Sequence, residues 1–195
     1  MRLVLCDFDG TVTYRDSMGA FLRYVVGSWR YYLKLAFFAP FYTLFLLRII
    51  DNSRAKNELL RRFLGGMEVE KIRLLGGQFA VQKLPSMVRP QALQALLEYQ
   101  AQGDTVVIVT ASMQTWMEPW CNQYGFECIS SVLEEHDGVL TGHMTGKNCH
   151  GKEKVARIKA RFELSTFDEI IAYGDTRGDL PMLALAHRAF YKPFR

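Results

Sequence analysis

Three short apolar runs stand out from the hydropathy pattern of this chain: Leu3-Val4-Leu5-Cys6, Val106-Val107-Ile108-Val109 and Ile170-Ile171-Ala172-Tyr173. Each is β-branched or aliphatic and ends in polar residues, so each reads as a buried strand. Between them the spacing turns helical. Asn52-Ser53 precedes a helical pattern over Lys56 to Leu64, and Gly65-Gly66 stops it. Glu68 to Lys83 reads as a second helix, broken or loosened at Gly76-Gly77, and Gln91 to Gln102 as a third. Gly151 opens another helical pattern, and Leu180 to Ala186 carries one more. Alternating strands and helices predict an α/β fold with a parallel sheet flanked by helices.

The residues that close each apolar run carry the chemistry. Leu3 to Cys6 ends in Asp7-Phe8-Asp9-Gly10-Thr11, the second run in Thr110-Ala111-Ser112, and the third in Gly174-Asp175-Thr176-Arg177-Gly178-Asp179. In open α/β sheets, ligands sit outside the carboxyl ends of the strands. Carboxylates against a core strand need a partner or a metal, and a divalent cation is the simplest explanation for two of them at i, i+2. Read alone, the first ten residues also fit a strand ending in a polar turn. Lys152 and Lys154 follow Gly151, and Asp179 equally suits an N-cap ahead of Leu180.

This ordered set resembles the haloacid dehalogenase (HAD) superfamily over Asp7 to Asp179. Asp7-x-Asp9-Gly-Thr looks like its first motif, Thr110 its second, Lys154 its third, and Gly174-Asp175 with Asp179 its fourth. The nearer resemblance is to the phosphoserine-phosphatase-like branch, subfamily IB, which includes bacterial phosphatidylglycerophosphatase C. Thr13, Asp16-Ser17, Asn148-Cys149-x-Gly151-x-x-Lys154 and Tyr191-Lys192-Pro193-Phe194 look like an uncharacterised hydrolase group within it. The resemblance implies a HAD-like Rossmannoid core with an inserted helical cap of the C1 type. It implies Asp7 as nucleophile and Asp9 as general acid and base. Thr110, Lys154 and the amides of Phe8, Asp9 and Ala111 would hold the phosphoryl group. Mg²⁺ would lie on Asp7, the Asp9 carbonyl and Asp175, with Asp179 one layer behind. Gly151-x-x-Lys154 matches the family spacing, which selects Lys154 over Lys152. The second carboxylate, Asp9, favours phosphate esters over halides, because a halide leaving group needs no acid.

Domain boundaries follow from where the strands fall. After the first motif the next convincing core strand begins at Val106, so residues 15–85 form the expected helical cap and residues 1–14 and 86–195 the core. Residues 15–85 hold 12 Lys/Arg and 5 Asp/Glu, whereas the whole chain has a net charge of only +4. From Gly19 to Ile50 there is no acidic residue, and ten of the chain's aromatic side chains fall there. Leu35 to Leu47 is apolar apart from Thr43, is interrupted by Pro40 and is flanked by Lys34 and Arg48. That is short of the roughly 20 residues a bilayer span requires. Three readings stay open for the stretch: cap core, since Tyr31, Phe38 and Phe45 are seven apart, contact with an anionic membrane surface, or a dimer face.

Composition excludes some classes. The basic residues are scattered along apolar helices, without the density that tracks nucleic-acid phosphates. Cys6, Cys121, Cys128 and Cys149 lack C-x-x-C spacing and read as reduced thiols. His136, His143, His150 and His187 lack zinc spacing and read as surface or loop residues. The expectation is a cytoplasmic Mg²⁺-dependent phosphomonoester hydrolase, with peripheral attachment at the inner membrane face as a second placement. Its substrate would be a small phosphorylated metabolite or a lipid phosphate. The rivals are a phosphotransferase using the same aspartyl phosphate, and a membrane- or partner-binding protein with a vestigial site. Oligomeric state stays open.

Overall fold

In the computed structural model, which describes residues 1–47 and 49–194, a six-stranded sheet runs through the molecule. Its strands are β1 (Arg2–Cys6), β2 (Thr105–Met113), β3 (Glu127–His136), β4 (Val139–Thr145), β5 (Glu169–Gly174) and β6 (Arg188–Tyr191), in the order β4-β3-β2-β1-β5-β6. All neighbours are parallel except β3 and β4. From β1 the chain builds outward through β2 and β3, then returns to place β5 on the other side of β1. The topological switch point therefore lies between β1 and β5, where such sheets open a crevice beyond their carboxyl ends.

Both faces of the sheet are covered, which explains the unbroken apolar runs. Successive side chains alternate: Leu3 and Leu5 join Val107, Val109, Ile170 and Ala172 in one core layer, while Val4 and Cys6 join Val106, Ile108 and Ile171 in the other. The first layer packs on Ile158 of α7 (Lys152–Arg161) and on Met182 and Leu183 of α8 (Leu180–Leu183). The second packs on α5 (Pro90–Ala101) and α6 (Gln114–Tyr124).

Between β1 and β2 the chain makes α1 (Ser17–Val26), α2 (Ser28–Leu46), α3 (Asn52–Leu64) and α4 (Val69–Gln82). These helices are not loosely attached. Phe21 of α1 stacks on Trp116 of α6 at 4.4 Å and meets Phe79 of α4 edge-on at 5.3 Å. The expected break at Gly76-Gly77 is absent, because Gly76 has a packing role: a Cβ there would lie 2.3 Å from the Thr115 carbonyl oxygen. The glycine lets α4 approach α6 while the helix continues. Likewise α2 runs through Pro40; Pro40 and Ala36, whose carbonyl loses its helical donor, are both exposed to water. Arg48 lies outside the described residues.

Other differences follow from tertiary context. Strand β2 does not end at Val109 but runs to Met113, with its register against β3 shifting after Val109. The hairpin β3–β4 has no counterpart among the predicted elements, although Asp137-Gly138, both at positive φ (50° and 77°), is the sequence signal for a tight hairpin turn. Helix α8 stops at Leu183 rather than Ala186.

Candidate active site

At the end of β1, Asp7 donates its backbone N–H to Tyr173 of β5 at 2.9 Å, and its side chain is buried. The chain then turns back on itself, with Thr13 N–H reaching the Phe8 carbonyl at 3.0 Å. Gly10 makes this possible. Its φ is +82°, and a Cβ there would lie 2.5 Å from Asp175 Oδ2, so only glycine brings the two loops together. The Phe8 side chain faces inward and packs edge-on against Trp120 at 4.8 Å, which leaves only its main chain for the site.

Lys154, on the first turn of α7, is buried and donates to Asp7 Oδ1 at 2.6 Å and to Asp179 Oδ1 at 2.7 Å. Lys152, two residues earlier, points to solvent. Burial opposes the charge on Lys154, but the two carboxylates and their hydrogen bonds outweigh it and raise its pKa. Asp179 is likewise disfavoured by burial, yet its ion pair with Lys154 and its bonds from Thr176 hold it below the usual carboxylate range. Its Oδ2 accepts the Thr176 hydroxyl at 2.7 Å and the Thr176 amide at 2.9 Å. Asp179 stands at the N-cap position of α8, but its side chain makes no capping bond there. It is the third residue of a capping box that Thr176 begins.

Burial pushes Asp7 up to about 6, with Lys154 opposing. Asp9 is pushed up to about 7, again mainly by burial, with Asp16 adding to it. Two donors aim its carboxylate: the Ser17 amide at the start of α1 to Oδ1 at 2.6 Å, and the Ser112 hydroxyl to Oδ2 at 2.5 Å. Thr110, buried at the β2 register shift, accepts the Ser112 amide at 3.0 Å and so keeps its own hydroxyl proton for another acceptor. A shift of this kind beside a site re-aims side chains.

Asp7, Asp175 and Asp179 each present a carboxylate oxygen within 4.8 Å of the others. Asp7 and Asp175 are hard oxygen donors of the kind that fits Mg²⁺, which takes carboxylates and waters, whereas both Asp179 oxygens are already engaged by Lys154 and Thr176. Beside them opens a cavity of about 290 Å³ that reaches Asp7, Asp9, Thr110, Ala111 and Lys154, with Phe38, Tyr42 and Phe45 of α2 on its wall.

The sequence model of the haloacid dehalogenase-like hydrolases matches residues 4–184. The chain belongs to this family. Protein CicA of Caulobacter vibrioides is 34% identical over 197 residues, covering 99% of this chain and 86% of CicA. Among solved structures, a protein of unknown function from Bordetella pertussis Tohama I superposes with a TM-score of 0.81 at 21% identity, covering 96% of this chain and 88% of that one. A substrate-bound phosphoserine phosphatase does so with a TM-score of 0.69 at 15% identity, over 97% and 84%. The fold is thus HAD-like and phosphoserine-phosphatase-like.

In this hydrolase, the acids, the threonine and the lysine of the four motifs meet at one place. The residues that sequence reasoning missed come from elsewhere. Lys56 of α3 is buried with its ammonium on the Ala111 carbonyl and 3.0 Å from Asn148 Oδ1. Burial pulls it down to about 8. Ser112 was read only as part of a strand end, and nothing in its spacing pairs it with Asp9 across 103 residues. His150, expected at the surface or in a loop, is in a loop but lines the cavity. Cys149 beside it is fully buried, and burial pushes its thiol up to about 11, which argues against a cysteine nucleophile. Among the described residues all four cysteines are free.

Proposed function

We propose that this hydrolase is a Mg²⁺-dependent phosphomonoester hydrolase that works through an aspartyl phosphate on Asp7. The observation that carries the reading is the division of labour between two carboxylates on one turn. Asp7 is fixed by Lys154 through a single oxygen, whereas Asp9 is held by neutral donors and kept near neutrality. In-line attack by an Asp7 oxygen on phosphorus would break the bond to the alcohol oxygen, and Asp9 would give that oxygen its proton. Asp9 would then take a proton from water as the water attacks phosphorus and frees Asp7. The Thr110 hydroxyl, the Lys154 ammonium and the amides of Phe8, Asp9 and Ala111 would hold the phosphoryl oxygens. Asp7, the Asp9 carbonyl and Asp175 would hold Mg²⁺, with Asp179 fixing Lys154 behind them. Bound there, the cation neutralises phosphoryl charge and keeps Asp7 ionised.

The helical insertion over residues 15–85 acts in this reading as a cap. Phe38, Tyr42 and Phe45, joined by Met18 and Leu59, give the cavity an apolar wall. That wall suits an alcohol with hydrocarbon character, and so a lipid phosphate better than a small polar metabolite such as phosphoserine. A phosphotransferase would need only an acceptor alcohol in place of water, and the complete acid set counts against a vestigial site.

The test is Mg²⁺-dependent phosphate release across phosphoserine, sugar phosphates, nucleotides and a micellar lipid phosphate, with Asp7→Asn as the blank. The expected result is turnover that requires Asp7 and is fastest on the lipid. Wild-type rates from Asp7→Asn would overturn the nucleophile. Faster turnover of a polar ester would overturn the lipid assignment, and transfer to added alcohol exceeding hydrolysis would make the protein a transferase.

A further inference from the structure

Helix α2 breaks the usual rule for a surface helix. An amphipathic helix buries one stripe and presents polar residues outside. Here the inner side chains are apolar except Lys34, and the outer face is mainly apolar too, with Thr43 within it and Arg30 at its edge: Trp29, Leu33, Ala36, Phe37, Pro40, Leu44 and Leu47 follow one another at helical spacing, and all are exposed. Trp29 is 79% exposed, and Phe37 and Leu47 are each 69% exposed. Tyr32, Leu46 and Ile49 extend the patch. A contiguous apolar surface of this kind marks an interaction site rather than chance exposure.

We propose that the outer face of α2 docks on an anionic lipid bilayer. Charge complementarity selects this occupant. No acidic residue occurs from Gly19 to Ile50, while Arg23 in the last turn of α1, Arg30 in the first turn of α2 and Arg54 at the start of α3 are exposed. The nearest acid in sequence, Asp51, is engaged as the cap of α3, accepting the Arg54 amide at 2.8 Å. Two copies of this face would set like charges against each other, whereas an anionic headgroup layer neutralises them. Aromatic side chains among basic ones also match the polar–apolar boundary of a bilayer. Among the described residues no helix is long and apolar enough to cross a membrane, so α2 would lie in the interface plane.

The docking face and the cavity share one helix. Phe38, Tyr42 and Phe45 wall the cavity from the inner side of α2 while Phe37 and Leu44 face outward. A bilayer on the outer face would therefore lie about one helix diameter, 10–12 Å, from the cavity wall. The docking itself is independent of the hydrolase reading.

Trp29 supplies a local probe, because the other two tryptophans, Trp116 and Trp120, are fully buried. The full chain is floated with phosphatidylglycerol/phosphatidylcholine vesicles and with phosphatidylcholine vesicles at physiological salt, and acrylamide quenching of Trp fluorescence is followed. Leu33→Glu/Phe37→Glu is compared, since both positions are exposed and neither lines the cavity; p-nitrophenyl phosphate hydrolysis and thermal melting serve as controls. The expected result is flotation with the anionic vesicles and protection of Trp29. Each basic side chain near such a surface changes partitioning about fivefold, so two added acids should weaken binding at least about twentyfold and leave p-nitrophenyl phosphate turnover unchanged. Protein that stays in the bottom fraction, or floats equally with neutral vesicles, overturns the proposal. So does self-association that protects Trp29 without lipid, which would assign the face to a second copy. Absent turnover in both proteins would count against the hydrolase reading while flotation still decides the docking.

Discussion

Replacing Lys154 by methionine would test the most heavily buried charge arrangement in the molecule. The Lys154 side chain is 1% exposed, and its ammonium joins Asp7 Oδ1 at 2.6 Å to Asp179 Oδ1 at 2.7 Å. Methionine keeps most of the volume but leaves two carboxylates buried side by side. Breaking a buried ion pair from one side costs about 3–5 kcal/mol. Protonation of Asp7, whose pKa already stands at about 6 and would rise without the ammonium, caps the loss near the middle of that range. For a chain of this size about 4 kcal/mol corresponds to a fall in Tm of about 8–16 °C. Thermal melts followed by circular dichroism in EDTA at neutral pH would read it. Mg²⁺ should recover part of the loss, because a cation that binds only the folded carboxylates stabilises the folded state. Lys154→Met/Asp179→Asn should be less damaged than the two single losses together, by about 2 kcal/mol of coupling. A Tm within about 2 °C of wild type, or strictly additive losses, would refute the reasoning that the lysine is what makes two buried acids tolerable.

Two further outcomes follow from the same groups. Ser112→Ala removes a hydrogen bond that favours ionised Asp9, so the Asp9 pKa should rise by about 1–2 units. Because Asp9 must be protonated to serve as the acid, the alkaline limb of kcat/KM should move upward in pH; an unmoved limb would sink its assignment. In metal-free protein, Asp7 and Asp9 have folded pKa values raised from 3.8 to about 6 and about 7. Their contribution to stability is present below the unfolded value and lost as pH rises through those two. Melts in EDTA should therefore give a higher Tm near pH 5 than near pH 8, and the reverse order would show that the acids are not buried as described. Asp179 moves the other way only below the usual carboxylate range, outside this window, whereas His150, whose pKa burial lowers from 6.5, opposes the trend inside it as one group against two.

The local signals in the chain carry the three central strands and the polar residues at their ends. Apolar runs without alternation can settle only where both faces are covered, so Leu3 to Cys6, Val106 to Val109 and Ile170 to Tyr173 are legible as central strands, and the polar residues after them as the mouth. Lys154 is legible over Lys152 through the family resemblance that the spacing Gly151-x-x-Lys154 carries, and not through local geometry. What the sequence could not determine depends on distance. Ser112 finds Asp9 beside the β2 register shift after Val109, and Lys56 reaches the Ala111 carbonyl because α3 packs against β4; neither relation has a period or a spacing. Gly76-Gly77 looks like a helix breaker in one dimension and is a close-packing surface in three, since what matters is the Thr115 backbone opposite it. The same holds for α2. Its sequence shows an apolar, acid-free helix, but only the packing of α2 on the rest of the molecule decides which side chains enter the cavity and which remain exposed to meet a partner. Local sequence sets the conformation of each segment, whereas burial and electrostatics are sums over neighbours that the chain brings together from far apart.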